Sequence, residues 1–415
     1  MVKRSPLAWA LIALWCIFRA AAPNPASGAD LSELLPELSP GDVLLVADSD
    51  GDILYGHNAN RMYTPASTLK ILTALAALHH FGASYRFKTE FYLDPEQNLK
   101  IKGYGDPLLT SEAWEQIALE LAPALEQFGN LLVDDSYFSS HIVIPGRGNS
   151  TNPYDAPVGA LCANFNTVFY RYDKKGRIVS AEPQTPITPL AREKIPALEI
   201  EKGRYTFLRD RNEIGRYAGE LLVHFLNRRG VSHSGNIRPG RIGTTDRLLY
   251  TYRSGFSMET VVAKMLTYSN NFMANQILVS MGAHIYGPPG TLEKGISVLD
   301  RYCREELRLQ HVQLAEGSGI SRRNQLSAMD MLGILRSFAK YRHLLTGEGG
   351  IRYKSGTLAG IRTRAGYIEV PDQGPYYFVI FLKDSEIDIE DIMKAVAGHI
   401  HRAGSGSAEK KHGDV

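Results

Sequence analysis

A serine and a lysine three residues apart, Ser67 and Lys70, open an apolar stretch near the start of the chain. The stretch STLKILTALAALHHFG has apolar residues at helical spacing and stops at Gly82, so it predicts a helix whose first turn carries Ser67. Unpaired backbone N–H groups and the dipole at that end favour an alkoxide or an oxyanion. Lys70 shares the helix face and, when neutral, can accept the serine's proton. The pair is therefore a candidate nucleophile and base.

The S-x-x-K pattern alone is weak, because it recurs at Ser337-Lys340 and Ser407-Lys410. Ser337 lies inside an amphipathic helix pattern and Ser407 in a polar tail, whereas Ser67 directly follows a predicted strand hairpin. An N-capping serine beside a solvent-facing lysine would give the same pattern. The assignment of Ser67 thus depends on partners elsewhere in the chain.

A second motif, Ser269-x-Asn271, lies in LTYSNNFMANQIL, where two helical patterns meet and side chains can point into a cleft. Ser-x-Asn also occurs at Ser150 and Ser234, and helix capping explains Ser269 and Asn271 equally well. Its place at a helix junction favours the Ser269 occurrence.

A third motif, Lys354-Ser355-Gly356-Thr357, lies on a predicted strand near the C-terminus, and its glycine would let a substrate backbone approach closely. An edge-strand lysine that discourages aggregation is the alternative. The order of the motifs favours chemistry: S-x-x-K, then S-x-N, then K-[ST]-G is the arrangement that β-lactamases and penicillin-binding proteins share.

The resemblance becomes specific over longer segments: TPASTLKILTALAAL, GYGDPLLTSE, LLVDDSYF, YDAPVGAL, YSNNFMANQIL, EGSGISRRNQLSAMDM and KSGTLAGIRTRAGYI. In this order they resemble the D-alanyl-D-alanine carboxypeptidase/endopeptidase family, the class C low-molecular-mass penicillin-binding proteins. The likeness spans nearly the whole mature chain. It implies a β-lactamase/transpeptidase-like serine hydrolase domain interrupted by an insertion after the nucleophile's helix.

The resemblance also implies roles for the first two motifs. Ser67 would attack the carbonyl between two D-alanines, or a D-alanyl cross-link, of a peptidoglycan stem peptide, with Lys70 as base. Ser269 would relay a proton to the leaving amine, and Asn271 would hold the amide of the acyl side chain. A β-lactam would acylate the same serine, and no cofactor is implied.

The strand motif would bind the other end of the substrate. Lys354 would place positive charge near the substrate carboxylate and help keep Lys70 neutral, while Ser355 and Thr357 could hydrogen-bond that carboxylate. Backbone N–H groups of Ser67 and Thr357 would form the oxyanion hole.

These motifs need elements from both ends of the chain to meet. Strand patterns at 42–47 and 52–57 precede the nucleophile's helix, and IRYK, IRTRAGYI and PYYFVIFLKD follow the helical middle. We expect them to form one antiparallel sheet packed against a helical cluster, an α/β (α+β) fold. Residues 84–245, with short strands and two helical patterns, predict an inserted mixed α/β lobe.

The catalytic domain would then comprise residues 29–83 and 246–402, followed by a polar tail, 403–415, that predicts disorder. Cys162 and Cys303 remain in the mature chain and could pair in an oxidising compartment. The sequence does not bring them together.

The N-terminal residues predict export. Lys3 and Arg4 precede an apolar run of 12 residues, LAWALIALWCIF, which is typical of a secretory signal peptide. The run is shorter than the roughly 20 residues of a spanning helix, so it predicts no stable membrane span. We expect residues 1–28 to be removed and the protein to be periplasmic or extracytoplasmic.

Composition and missing motifs exclude other classes. At 415 residues, 44% hydrophobic and with a net charge of +2, the chain is globular and has no basic cluster for nucleic acid. It contains neither an H-E-x-x-H metal motif nor a G-x-S-x-G elbow. A β-lactamase-like hydrolase and a non-catalytic peptidoglycan-binding protein remain as alternatives. A simple class A β-lactamase has no large lobe between its first two motifs, which disfavours the former.

The chain departs from the family pattern at four places. Ser355 replaces the usual threonine, and Glu316 stands where EGSGIS relatives have aspartate. The segment from Ser321 to Lys354 is short. PGRGNSTNP lacks the Trp-and-acid turn that helps recognise the diaminopimelate end of the peptide, so the sequence does not define that specificity.

Overall fold

The computed structural model describes residues 31–410, with side chains described as far as residue 402. The predicted signal peptide, residues 1–28, lies outside the described residues. The helices are α1 (Leu31–Leu34), α2 (Lys70–Phe81), α3 (Ser111–Leu121), α4 (Pro189–Lys194), α5 (Arg211–Arg228), α6 (Met258–Thr267), α7 (Asn271–Tyr286), α8 (Leu292–Glu305), α9 (Ala328–Phe338) and α10 (Ile389–Lys410).

The strands fall into two groups along the chain, before residue 254 and after residue 346. They are β1 (Val43–Ala47), β2 (Ile53–His57), β3 (Lys88–Leu93), β4 (Leu99–Gly103), β5 (Gln127–Phe128), β6 (Leu131–Asp134), β7 (Val168–Tyr172), β8 (Ile178–Ser180), β9 (Lys202–Tyr205), β10 (Ser232–His233), β11 (Ile237–Pro239), β12 (Arg247–Arg253), β13 (Gly347–Glu348), β14 (Ile351–Leu358), β15 (Ile361–Val370) and β16 (Gly374–Lys383).

A six-stranded antiparallel sheet joins the two ends of the chain in the order β13-β14-β15-β16-β1-β2. β1 is buried throughout because helices cover both faces of the sheet. Val43 and Leu45 belong to the large core on the α2 side, whereas Leu44 and Val46 belong to a smaller core with α10. Successive side chains of β1 therefore point to opposite faces of the sheet and pack in two separate hydrophobic cores.

The predicted nucleophile helix begins with a short 3₁₀ turn, Ala66–Leu69, and continues as α2. Every α2 residue from Lys70 to Leu78 is buried, since α6, α7 and α9 pack around the helix. The turn lies against β14 and β15 of the sheet. The first turn of α2 is therefore held between the helical cluster and the sheet edge that carries the third motif.

The segment between α2 and α6 forms sheets of its own. The largest has five strands in the order β11-β6-β4-β3-β12, and the smaller ones are β8-β7-β9 and β10-β5. β12 lies after residue 245, where the sequence predicted a return to the catalytic domain, yet it pairs with β3 over its whole length. The lobe therefore ends after Arg253, because its last strand, β12, belongs to the same sheet as its first strand, β3.

Two further predictions concern the C-terminal tail and the two cysteines of the mature chain. α10 continues to Lys410, into the segment predicted to be disordered from residue 403, since extending an existing helix costs far less than starting one. Cys162 and Cys303 are both free and buried. Within the described part of the chain, no helix combines the length and apolarity needed to cross a membrane.

Candidate active site

Ser67 lies in the 3₁₀ turn before α2, and the Lys70 side chain returns to it. Lys70 Nζ is 2.9 Å from Ser67 Oγ. The preceding residue, Ala66, has a positive φ of 47°, a conformation that costs free energy for any residue with a Cβ. Thr363 Oγ1 and Thr68 Oγ1 both donate to the carbonyl of Pro65, which fixes the chain just before this strained position.

Lys70 is fully buried, and its Nζ has two further partners with fixed positions. It donates to Asn271 Oδ1 at 2.7 Å and to the carbonyl of Ser318 at 2.7 Å. Neither acceptor can donate a hydrogen back. In the neutral amine these two bonds use both hydrogens, so the lone pair is directed at Ser67 Oγ.

The electrostatics of the site favour that neutral form. Burial lowers the pKa of Lys70 to about 7, helped by the charge of Lys354 and opposed by that of Glu316. Burial also lowers the pKa of Lys354 to about 8. Near neutral pH, Lys70 is therefore partly deprotonated while Lys354 stays mostly charged, the combination that a lysine base beside a carboxylate-binding lysine needs.

Ser269 occupies the turn between α6 and α7 in the left-handed conformation, with φ of 51°. The N–H of Asn270 bonds the carbonyl of Met265 and the N–H of Ser269 bonds that of Leu266, which is the Schellman pattern that usually has glycine at this position. A serine there is strained. Asn271 then begins α7 and faces Lys70.

β14 places the third motif against the nucleophile turn. Lys354 and Gly356 are buried on the inner face, and Ser355 and Thr357 are exposed, as strand alternation requires. A Cβ on Gly356 would lie 2.9 Å from the Cβ of Ala66. Only glycine allows the strand to pass this close, so the backbone at 355–357 borders Ser67.

A groove of about 770 Å³ extends from the motifs along the surface. Ser269, Lys354 and Ser355 line its inner end, and Tyr268, 73% exposed, stands at its rim. No described residue hydrogen-bonds the Ser269 hydroxyl, while Lys354 Nζ donates to the carbonyl of Ser355 at 2.8 Å. These polar groups are open to a ligand in the groove.

Glu316 is the buried centre of the loop that supplies the Ser318 carbonyl. Its carboxylate accepts six hydrogen bonds, at 2.6 to 3.3 Å. The donors are the side chains of Asn275 and Asn324, the backbone and hydroxyl of Ser318, and the backbone N–H groups of Gly319 and Ser321. The carboxylate thereby fixes the loop that positions Lys70.

Gly319 brings that loop against the nucleophile turn. It has φ of 85°, and a Cβ there would lie 1.8 Å from the carbonyl oxygen of Ala66. Sequence reasoning noted Glu316 only as a departure from the family pattern and missed Asn275 and Asn324. The spacing of Asn271 and Asn275, four residues apart on one helix, was a usable signal.

The competing motif matches lie away from this cluster. Ser337 is exposed on α9 and donates to the carbonyl of Gly333 in its own helix. Ser150 and Ser234 lie in the segment between α2 and α6. Ser407 lies beyond the residues with described side chains. Among the side chains described, no group of three or more His, Cys, Asp or Glu residues is arranged to hold a metal ion.

The model of the D-Ala-D-Ala carboxypeptidase 3 (S13) family matches residues 36–199 and 204–346. A D-alanyl-D-alanine carboxypeptidase of Actinomadura sp. (strain R39) is 24% identical over 433 aligned positions, covering 84% of this chain and 80% of that protein. The resemblance inferred from the motifs is confirmed.

Solved structures show the same fold. Penicillin binding protein 4 from Haemophilus influenzae superimposes with a TM-score of 0.73 at 20% identity, over 90% of this chain and 98% of that chain. The same protein complexed with a novel β-lactam gives a TM-score of 0.68 at 19% identity and the same coverage. The predicted fold class is confirmed.

Proposed function

The chain belongs to the D-Ala-D-Ala carboxypeptidase 3 (S13) family and is a serine-type D-alanyl-D-alanine peptidase, and from this premise we propose that Ser67 is its nucleophile and Lys70 its base. One observation carries the proposal. Lys70 Nζ lies 2.9 Å from Ser67 Oγ, with its two other hydrogen bonds directed elsewhere and its pKa lowered to about 7.

In the acylation step, neutral Lys70 accepts the Ser67 proton as Oγ attacks the carbonyl carbon between the two terminal D-alanines. The tetrahedral oxyanion lies between the backbone N–H groups of Ser67 and Thr357, which the close approach of Gly356 to the turn brings near each other. Losing one such donor typically slows a reaction about 10²- to 10³-fold.

The intermediate then expels D-alanine. Its amine takes the proton of the Ser269 hydroxyl as the C–N bond breaks, which leaves the peptide esterified to Ser67. No hydrogen bond joins Lys70 to Ser269 among the described residues. We therefore propose that the bound intermediate connects the two groups, so that Lys70 returns its proton to Ser269. Lys354, Ser355 and Thr357 hold the departing carboxylate, and Asn271 holds the amide on the acyl side through the nitrogen that Lys70 does not use. Water, deprotonated by Lys70, hydrolyses the ester.

The groove has room for a leaving group larger than a single D-alanine. It continues from Ser269 and Lys354 past Tyr268 for a volume of about 770 Å³. A cross-linked peptide has a second peptide chain in place of free D-alanine. We therefore propose endopeptidase cleavage of cross-links at the same serine, alongside carboxypeptidase activity.

The relative in complex with a β-lactam supports acylation of Ser67 by these antibiotics, since the lactam carbonyl takes the place of the peptide carbonyl. We also propose export through residues 1–28 to the periplasm or another extracytoplasmic space. The catalytic domain would comprise residues 29–87 and 254–402, with the lobe between them. The separate sheets of the lobe support this division.

A fluorescent penicillin tests the nucleophile. The mature protein should form a covalent adduct, release D-alanine from a pentapeptide and cleave a cross-linked dimer. Ser67→Ala should abolish all three activities. Ser337→Ala is the matched control, because Ser337 has the same S-x-x-K spacing on an exposed helix face, and it should leave all three intact. An adduct that survives Ser67→Ala would overturn the proposal, and fast adduct turnover without peptide cleavage would indicate a β-lactamase.

A further inference from the structure

The inner face of β15 carries a buried threonine where the sheet meets the nucleophile turn. Thr363 is 1% exposed, and the residues two positions away on the same face, Ile361 and Ala365, are buried and apolar. A valine would fill the same space without a polar atom, and a buried hydroxyl costs free energy unless it has a partner. The Thr363 hydroxyl has one, because it donates to the carbonyl of Pro65 at 2.9 Å.

The carbonyl of Pro65 directly precedes the strained residue of the turn. Ala66 is fully buried and has φ of 47°, a conformation that is unfavourable for a residue with a Cβ. Thr68 also donates to this carbonyl, through its hydroxyl at 2.6 Å and its N–H at 3.3 Å, but it does so from within the same turn. The bond from Thr363 is therefore the one that fixes the carbonyl relative to the sheet.

The conformation of Ala66 sets the direction of the next N–H group, that of Ser67. Because peptide groups are planar, the dihedral angles of Ala66 alone relate the Pro65 carbonyl to the Ser67 N–H. A Cβ on Gly356 would lie 2.4 Å from Thr363 Oγ1 and 2.6 Å from the nitrogen of Ser67, so the hydroxyl and the amide lie beside the same point of β14. A change of Ala66 to the right-handed conformation would turn the Ser67 N–H away from its present direction.

We propose that Thr363 is a positioning residue for the oxyanion hole. Its hydroxyl holds the carbonyl of Pro65, which keeps Ala66 in the left-handed conformation and the Ser67 N–H directed at the oxyanion. Thr363 is too deeply buried to contact the substrate, so it acts through the turn. This inference rests on the proposed function and adds to it a residue outside the three motifs.

Thr363→Val, which keeps the shape of the side chain and removes the hydroxyl, tests the proposal. The rate constant for acylation by a penicillin should fall about 3- to 10-fold, the range expected for one neutral hydrogen bond. A boronic acid analogue of the acyl D-alanine forms a tetrahedral adduct with Ser67 that places a hydroxyl in the oxyanion hole, and its affinity should fall by the same factor. Thr363→Ser keeps the hydroxyl and should restore most of both.

Two further measurements separate positioning from a general disturbance of the site. Thr89→Val is the matched control, since Thr89 is a fully buried strand threonine in the lobe whose hydroxyl has no partner among the described residues. It should leave the acylation rate and the boronic acid affinity unchanged. The ascending limb of the pH profile should stay in place in Thr363→Val, because the hydrogen bonds of Lys70 are untouched.

Acylation at the wild-type rate in Thr363→Val, or a slower rate with unchanged affinity for the boronic acid, overturns the proposal. If Thr363→Val does not fold, Thr363→Ser and Thr363→Ala take its place, because these two variants differ only in the hydroxyl. Equal acylation rates in that pair also overturn the proposal. No adduct and no D-alanine release in the wild type would instead reject the proposed function.

Discussion

A Cβ on Gly356 would lie 2.6 Å from the backbone nitrogen of Ser67, a distance at which one of the two must move. The third motif therefore needs glycine for packing against the nucleophile turn, in addition to any contact with substrate. The relationship links two elements that are far apart in the chain and meet only in the folded site.

Gly356→Ala should displace β14 from the nucleophile turn and separate the two N–H groups of the oxyanion hole. We expect penicillin acylation to slow by about 10²- to 10³-fold, as when one oxyanion donor is lost. Stopped-flow measurement of adduct formation gives the rate. Gly255→Ala is the control, since a Cβ there meets nothing within 4 Å. Acylation at the wild-type rate in Gly356→Ala would contradict the proposed packing.

Acylation should show a narrow bell-shaped pH profile. Activity rises with pH through about 7 as Lys70 loses its proton, and falls through about 8 as Lys354 loses its charge. Because the two lysines interact, the limbs report the pair together. The profile of kcat/KM for D-alanine release between pH 5 and 10 measures both limbs.

Lys354→Gln should change that profile in a defined direction. The charge of Lys354 lowers the pKa of Lys70, so its removal moves the ascending limb to higher pH and removes the descending limb. Lys340→Gln, the exposed lysine of the second S-x-x-K match, should leave the profile unchanged. An ascending limb that stays in place in Lys354→Gln would show that the two charges do not interact.

Glu316→Gln should destabilise the protein and shift the ascending limb the opposite way. Each carboxylate oxygen of Glu316 accepts three hydrogen bonds. In the glutamine variant an NH₂ group replaces one of these oxygens and leaves its three donors without an acceptor. We therefore expect a loss of at least about 3 kcal/mol in the free energy of unfolding. The lost charge also lowers the Lys70 pKa further. Guanidinium unfolding and the pH profile measure the two effects.

Glu316→Asp keeps the charge and should cost less stability, while exposed Glu305→Gln should cost almost nothing. If the guanidinium midpoint of Glu316→Gln equals that of the wild type, the Glu316 carboxylate does not stabilise the loop at 316–321.

Tyr268→Ala should separate the two peptidase activities. The ring is 73% exposed and lines the groove that we propose for the leaving side, where a second peptide chain would pass. We expect cleavage of a cross-linked dimer to fall about fivefold or more, as for a tyrosine at an interface, with D-alanine release unchanged. Tyr286→Ala, exposed at the end of α7 and outside the groove, is the control. An equal loss in both assays would show that Tyr268 contributes to a step common to both reactions and does not act by binding the second peptide chain.

The strands, the nucleophile helix and the order of the motifs could be predicted because each has a local pattern. Ser67 and Lys70 share a helix face, and β14 shows a strand period. The role of Glu316 could not be predicted, since its donors come from α7 and from its own loop and the acceptor it positions is a backbone carbonyl. The pKa of Lys70 depends on burial by several elements, which no single segment encodes. The pairing of β12 with β3 was missed because a strand's pattern does not identify its partner.

Backbone hydrogen bonds join the two points where the chain enters and leaves the lobe. They connect Ser254 to Phe87, Met258 to Tyr85 and Glu259 to Ala83. Because its two ends are adjacent, the lobe is topologically a single insertion. Such a segment fits into one connection of the catalytic domain and leaves the strand order of the catalytic sheet unchanged. Its apolar residues nevertheless join the same core as α2 and α6. We therefore expect lobe and catalytic sheet to unfold in one cooperative transition.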